Sequence, residues 1–254
     1  MSRRSLVRMC LLIALIIAIT VLMWDNSNIS NKTPDDNNDF ITTNNRQNKR
    51  LDFYYYIPQK LLGSSDKEIP ALICIPGLNG EGDQFRNSPF QTFAEKEGFV
   101  LICPSFHFDK LDWFMQASYQ YPNAWSGEAL LNIIKKVEDK HNIHIGKCYL
   151  YGISAGAQFA LRFAIWNPDK TAATVGHASG GLIEPNEIIP VKYFISVGED
   201  DTDRIETAEE NCSRLEKVGI DVSYKMYEGG HWVTEPQLKD SFTFIKNVRD
   251  NTEQ

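Results

Sequence analysis

The stretch YLYGISAGAQFALRF, residues 149–163, changes its pattern of apolar residues halfway along. Its first part is a continuous apolar run, typical of a strand buried on both faces, and its second part has apolar residues at helical spacing. Ser154 lies between the two parts, with Gly152 and Gly156 two residues to either side. Glycine is the residue that allows a backbone to turn this sharply. The stretch therefore predicts a strand, a tight turn that carries a serine, and a helix.

Apolar runs and helical segments alternate along the chain from residue 51 onward. Strands are predicted at Leu51–Ile57, Ala71–Ile75, Phe99–Cys103, Lys147–Gly152, Ala172–His177, Lys192–Gly198 and Val222–Tyr227. Helices are predicted at Pro89–Glu97, Asn123–His141, Ser154–Trp166, Arg204–Val218 and Glu235–Val248. This alternation is typical of an α/β fold in which helices cover both faces of a mostly parallel sheet. One domain over residues 51–254 is expected.

The serine turn resembles the nucleophile elbow of the α/β-hydrolases, whose motif is Gly-x-Ser-x-Gly between a strand and a helix. The resemblance covers residues 51–250 and is greatest to small esterases related to polyhydroxybutyrate depolymerases and feruloyl esterases. It implies that Ser154 is the nucleophile of a serine hydrolase that cleaves carboxylic esters through an acyl-enzyme. The plainer alternative is a serine that only caps a helix after a glycine turn.

The resemblance also implies where the two partners of the serine lie, because the family orders them as serine, acid and histidine, each after a later strand. Asp201 follows the strand that ends at Gly198, at the spacing common in the family. Asp200 and Asp203 stay open as rivals for the acid. His231 follows two glycines after the last strand and is expected to act as the base, since histidine exchanges protons near neutral pH.

An oxyanion hole requires two backbone amides, and the resemblance implies Ala155 for one and Leu78 for the other. Leu78 lies in a Gly/Asn turn, with Pro76 where many relatives have a histidine. Trp113, Trp125 and Trp232 are candidate substrate-binding residues. For Trp113 and Trp125, which belong to an aromatic segment after a strand, plain core packing is the alternative.

Residues 179–190 make up almost all of the connection between the predicted strands Ala172–His177 and Lys192–Gly198, which leaves no room for a large cap domain. An uncovered site admits a small-molecule or polymer-attached ester, and a short acyl group on a larger carrier is expected. Two alternatives stay open. The same three residues could serve a peptidase or an acyltransferase, and a non-catalytic binding domain could keep the fold.

Composition excludes some classes of function. The chain has 254 residues, 43% of them apolar and 23% charged, as in a globular protein, and its net charge is -7. An acidic chain is repelled by a phosphate backbone, so nucleic-acid binding is not expected. The five cysteines show no metal-ligand spacing and no disulfide framework, and no cofactor is implied.

The first 24 residues predict a targeting segment, with three arginines before an apolar run, MCLLIALIIAITVLMW, at residues 9–24. A retained anchor is favoured over a cleaved signal peptide, because small residues at cleavage spacing occur only at Ala18 and Thr20. The arginines place that end in the cytoplasm and the domain on the extracytoplasmic side. Residues 25–50 are rich in Asn and Asp and are expected to form a disordered tether.

Overall fold

A computed structural model describes residues 38–42, 50–63, 67–78, 80–107 and 109–252, all within one compact unit, residues 37–254. The predicted targeting segment and most of the predicted tether lie outside the described residues. Within the part that the structure describes, no helix is both long and apolar enough to cross a membrane.

The described strands form one sheet of eight. They are β1 (Asn38–Thr42), β2 (Arg50–Tyr56), β3 (Glu68–Ile75), β4 (Val100–Pro104), β5 (His144–Ile153), β6 (Thr171–His177), β7 (Lys192–Gly198) and β8 (Val222–Tyr227). Their order across the sheet is β1-β2-β4-β3-β5-β6-β7-β8. The pairs β1–β2 and β2–β4 are antiparallel, and every other neighbouring pair is parallel. The mostly parallel sheet predicted from the sequence is confirmed.

The described α-helices are α1 (Pro89–Glu97), α2 (Lys110–Phe114), α3 (Gly127–His141), α4 (Ala155–Trp166), α5 (Thr202–Lys217) and α6 (Glu235–Thr252). Two 3-10 helices occur at Gln59–Leu61 and Gly82–Phe85. The helix predicted from residue 123 is in fact a π-helical turn, Pro122–Ser126, followed by α3. The sequence did not predict α2, which is only five residues long.

Helices cover both faces of the sheet, as predicted. Apolar residues of α3, α4 and α5 pack on one face, and those of α1 and α6 pack on the other. The central strands are therefore buried on both sides, and all five residues of β4 are buried. This is the arrangement that continuous apolar runs produce in a parallel sheet.

Strand β1 corrects part of the predicted tether, because residues 38–42 pair with β2 and are ordered within the sheet. Ile41 is 9% exposed and pairs with Leu51. Phe40 lies under the guanidinium of Arg50, whose Cζ is 4.2 Å from the ring centroid. Lys136 on α3 adds an ion pair to Asp39 at 2.7 Å. The ladder with β2, one buried side chain and this contact together hold the edge strand, although the composition around it is polar.

The order of the strands reverses at β3 and β5, which are neighbours although β4 lies between them in the chain. In open α/β sheets, ligands bind outside the carboxyl ends of the strands at such a reversal. The turn that carries Ser154 follows β5 and the loop that carries Leu78 follows β3, so both lie at this point.

His177, at the end of β6, is buried and has polar partners on both ring nitrogens. Its Nδ1 contacts the hydroxyl of Ser196, and its Nε2 lies 2.9 Å from Oγ of Ser241 on α6. Burial lowers the pKa of His177 from 6.5 to about 3, because the charged ring loses its hydration. The imidazole is therefore neutral in the folded protein near neutral pH.

This buried histidine is expected to make the folded state sensitive to acid. Between pH 6.5 and about 3 the unfolded chain binds a proton that the folded protein does not, so stability falls as the pH falls through this range. In chemical denaturation, the unfolding free energy of the wild type should drop between pH 6.5 and 4.5 by on the order of 2 kcal/mol more than that of His177→Gln. His107→Gln, which changes a mostly exposed histidine, is the control. Equal losses in wild type and His177→Gln would contradict this account.

Candidate active site

Ser154 occupies a sharp turn between β5 and α4, as the sequence predicts. Its backbone has φ 54 and ψ -117, a strained conformation for a residue with a side chain. The amide of Ser154 donates a hydrogen bond of 2.8 Å to the carbonyl of His177 on β6. This hydrogen bond to a neighbouring strand stabilises the strained turn, and the serine hydroxyl lies at the carboxyl edge of the sheet.

Gly152 and Gly156 allow this turn because the backbone approaches itself on both sides of the serine. A Cβ at Gly152 would lie 2.3 Å from the carbonyl oxygen of Gly156. A Cβ at Gly156 would lie 2.4 Å from the carbonyl oxygens of Ile75 and Pro76, at the end of β3. No side chain fits at either position without moving backbone. Both glycines of the motif therefore have a steric reason.

The structure brings Ser154, His231 and Asp201 together in a hydrogen-bonded chain. Nε2 of His231 lies 2.9 Å from Oγ of Ser154, and Nδ1 of His231 lies 2.6 Å from Oδ2 of Asp201. The side chain of Asp201 is 10% exposed, whereas that of His231 is 44% exposed. Asp200 and Asp203, the rivals for the acid, are both exposed, and neither is hydrogen-bonded to the imidazole in the part of the chain that the structure describes.

Gly198 explains how the histidine reaches the acid. A Cβ at this residue would lie 2.2 Å from the carbonyl oxygen of Gly229 and 2.3 Å from that of Gly230. The loop before His231 therefore packs directly on the end of β7. The amide of Asp200 also donates to the carbonyl of Gly229, at 2.9 Å. This contact joins the loop of the acid to the loop of the histidine.

Of the two candidate oxyanion donors, Ala155 follows Ser154 directly and Leu78 belongs to the loop after β3. Ala155 is the first residue of α4, and the first amides of a helix have no partner within the helix. Leu78 follows Gly77, where an added Cβ would lie 3.8 Å from Cβ of Ser154. The side chain of Leu78 is 48% exposed. The loop after β3 thus runs beside the serine, where the sequence places the second donor.

The three candidate substrate-binding tryptophans have different surroundings. Trp232 is 64% exposed and follows His231 directly. Trp113 is half-buried on α2, with its ring centroid 6.1 Å from that of Tyr121. Trp125 packs against the core, and its indole N–H donates to the carbonyl of Ala117 at 2.7 Å. The contacts of Trp125 are those of the core-packing alternative, whereas Trp113 and Trp232 lie at the surface on the carboxyl side of the sheet.

A cleft of about 580 Å³, which the sequence did not predict, lies beside α4. Its lining includes Trp113, Arg162 and the backbone of Gly180. Arg162 joins two loops, since its Nη1 donates to the carbonyl of Gln120 at 3.0 Å and its Nη2 to that of Leu182 at 3.0 Å. Arg162 is the one charged residue of helix α4, and a charged residue in this mostly apolar helix is the signal that could have indicated its contacts with the two loops. Among the described residues, no three His, Cys, Asp or Glu side chains are grouped as a metal site requires.

Sequence comparison finds esterases. No protein-family model matches the chain. Over 125 residues it is 26% identical to the probable acetylxylan esterase A of Aspergillus clavatus, a match that covers 48% of this chain and 39% of that protein. Over 122 residues it is 25% identical to feruloyl esterase B of Thermothelomyces thermophilus, with 47% and 40% covered. The chain thus spans less than half the length of these curated relatives.

Comparison with solved structures identifies the fold. A ferulic acid esterase superposes with a TM-score of 0.63 at 14% identity, covering 83% of this chain and 97% of that one. The fluorophosphonate-binding serine hydrolase F of Staphylococcus aureus superposes with a TM-score of 0.61 at 14% identity, with the same coverage. The segment between β6 and β7, residues 178–191, contains no helix, so no large cap covers the site there. The chain therefore has the α/β-hydrolase fold and is similar to the small esterases of the α/β-hydrolase superfamily.

Proposed function

We propose that this protein hydrolyses carboxylic esters through an acyl-enzyme, with Ser154 as nucleophile, His231 as general base and Asp201 as the group that orients the histidine. The observation that carries the proposal is the chain of two hydrogen bonds, 2.9 Å and 2.6 Å long, from the serine hydroxyl through the imidazole to the carboxylate. The esterase relatives support the ester as the bond that is cleaved.

In the first half-reaction, Oγ of Ser154 attacks the ester carbonyl while Nε2 of His231 takes the hydroxyl proton. The carbonyl oxygen becomes an oxyanion, which the amides of Ala155 and Leu78 stabilise. The tetrahedral intermediate collapses, the C–O bond to the alcohol breaks, and the imidazolium returns the proton to the leaving alcohol. The acyl group remains bound to Ser154 as an ester.

In the second half-reaction, water attacks the acyl-enzyme and His231 takes one of its protons. Collapse of the second tetrahedral intermediate releases the carboxylic acid, and the imidazolium returns the proton to Oγ of Ser154. Asp201 stays ionised throughout and stabilises the imidazolium through Nδ1. Each residue thus ends the cycle in its starting state.

An uncovered site supports a short acyl group on a larger carrier as the substrate. The relatives named as acetylxylan and feruloyl esterases support an ester borne by a carrier.

A retained anchor or a signal peptide in residues 1–24 places the domain on the extracytoplasmic side, a proposal that rests on the sequence pattern alone. Fractionation of expressing cells into membrane, soluble and secreted protein tests that location.

The first prediction from this proposal concerns the nucleophile. A fluorophosphonate probe should label wild-type protein at one site, read by intact mass, and Ser154→Ala should abolish the labelling because the attacking oxygen is gone. Hydrolysis of 4-nitrophenyl acetate should fall at least about a thousandfold in the same variant. Ser213→Ala, which changes an exposed serine on α5, is the matched control. Absence of labelling in folded wild-type protein would favour the binding-domain alternative.

A second prediction separates the three neighbouring acids. Asp201→Asn should lower kcat by at least about a hundredfold, since the amide cannot stabilise the imidazolium and favours the wrong tautomer of His231. Asp200→Asn and Asp203→Asn remove the same charge from exposed positions and should each change kcat less than about threefold. Steady-state kinetics on 4-nitrophenyl acetate gives the comparison. A larger loss in either control than in Asp201→Asn would move the role to that residue.

A third prediction concerns the acyl chain. The proposal of a short acyl group implies that kcat/KM for 4-nitrophenyl acetate and butyrate exceeds that for the laurate ester by at least about tenfold. The laurate ester is measured below the concentration at which it aggregates, because aggregation would lower the concentration of free substrate and so its apparent rate. Equal or faster cleavage of the laurate would rule out the short-acyl substrate while leaving the ester hydrolase intact.

A further inference from the structure

Arg204 projects from the first turn of α5, next to the acid of the proposed catalytic chain. Its amide donates to the carbonyl of Asp201 at 2.9 Å, which closes the turn at the start of the helix. Asp201 is the N-cap residue of α5, and Arg204 is the third residue of that helix. The side chain of Arg204 therefore begins beside Asp201, at the carboxyl edge of the sheet.

The guanidinium of Arg204 has no partner within the described residues. Its Nε is buried and has no hydrogen-bond acceptor. Nη1 and Nη2 have no partner in the described part of the chain either, but they are accessible to solvent. No carboxylate of the described residues lies at ion-pair distance, including those of Asp200 and Asp203 on either side of the acid. Arg214, further along the same helix, differs: its Nε lies 2.7 Å from Oε1 of Glu210.

The guanidinium of Arg204 lies against the loop after β6. A Cβ at Gly180 would lie 3.1 Å from both Cζ and Nε of Arg204, so the guanidinium packs on the glycine backbone. Gly180 also lines the 580 Å³ cleft. Three residues earlier, the carbonyl of His177 accepts the amide of Ser154. Arg204 therefore packs against the loop that leads from His177, which contacts Ser154, to the wall of the cleft.

We propose that Arg204 is a specificity-determining residue that binds a carboxylate carried by the ester substrate; this inference rests on the proposed ester hydrolysis. A guanidinium with two accessible Nη groups matches a carboxylate through paired N–H···O bonds. An arginine that packs against Gly180 and has no acidic partner among the described residues is available for such a ligand. Because the whole chain carries a net charge of -7, the preference arises from this local contact and not from long-range attraction.

Two pairs of esters test the proposal with the full-length protein. In the first, the acyl part carries the carboxylate: mono-4-nitrophenyl glutarate is compared with 4-nitrophenyl pentanoate. In the second, the alcohol part carries it: 4-acetoxybenzoate is compared with 4-methylphenyl acetate. For each pair, the ratio of kcat/KM, anionic over neutral, is measured in wild type and variants. Use of both pairs covers a carboxylate on either side of the scissile bond.

In Arg204→Gln, the ratio for at least one pair should fall about tenfold or more, because the ionic hydrogen bonds to the carboxylate are lost. Arg204→Lys keeps the positive charge but lacks the planar guanidinium with its paired N–H donors, so it should retain an intermediate ratio. This variant tests the proposal if the glutamine variant does not fold. Arg214→Gln removes an arginine of the same helix and should leave both ratios unchanged. A general loss of folding or of catalysis would lower both members of a pair and leave their ratio unaltered.

Ratios for both pairs that are the same in wild type, Arg204→Gln and Arg204→Lys overturn the role of Arg204 and leave the ester hydrolase standing. A different result marks failure of the underlying function: wild-type protein that hydrolyses none of the four esters overturns both proposals. The two failures are therefore distinguished by the wild-type measurement alone.

Discussion

The close approach of α4 to the end of β3 is the contact on which the rest of the site depends. Gly156 lies against the carbonyls of Ile75 and Pro76 so tightly that a single methyl group would collide with backbone. This packing lets the helix start directly after Ser154, which in turn forces the serine into its positive-φ conformation. It also brings the loop after β3 beside the serine, so that amides from two separate segments can point to one place.

Buried polar contacts with β6, β7 and α6 stabilise this strained turn. The carbonyl of His177 accepts the amide of Ser154, while the imidazole of His177 contacts Ser196 on β7 and Ser241 on α6. The neutral imidazole can accept a hydrogen bond at one nitrogen and donate one at the other, so both hydroxyl groups have a partner and no charge is buried. The backbone around Ser154 is therefore tied to the next two elements of the sheet and to the helix behind them, which resists relaxation of the turn.

Much of this architecture follows from local sequence patterns, and the parts that do not have identifiable causes. Strands buried on both faces produce continuous apolar runs, which is why the central strands β3 to β7 could be predicted. Strand β1 could not be, because only Phe40 and Ile41 of its five residues are apolar and only Ile41 is buried. The position of Ser154 is given by its glycines, but the choice among Asp200, Asp201 and Asp203 depends on where each carboxylate points in three dimensions.

The contacts around the site could not be predicted from the sequence either. Sequence alone places Trp125 in an aromatic segment on the active-site side, but the bond of its indole to Ala117 depends on how that segment folds back on itself. Gln120, Arg162 and Leu182 are far apart in the chain, and only the folded protein reveals that one guanidinium joins them. Likewise, an unpaired Arg204 cannot be recognised from sequence, because pairing is a property of neighbours in space.

The order in which strands contribute to the site also has a consequence for folding. Ser154, Asp201 and His231 follow β5, β7 and β8, and the pairs β5–β6, β6–β7 and β7–β8 are all parallel. Parallel pairing joins distant segments and carries a large loop-closure entropy, so it forms slowly. The hydrogen-bonded chain spans 77 residues between its histidine and its serine and cannot exist before these four strands are aligned. During refolding, recovery of any chemistry at this site would therefore report the alignment of these four parallel strands.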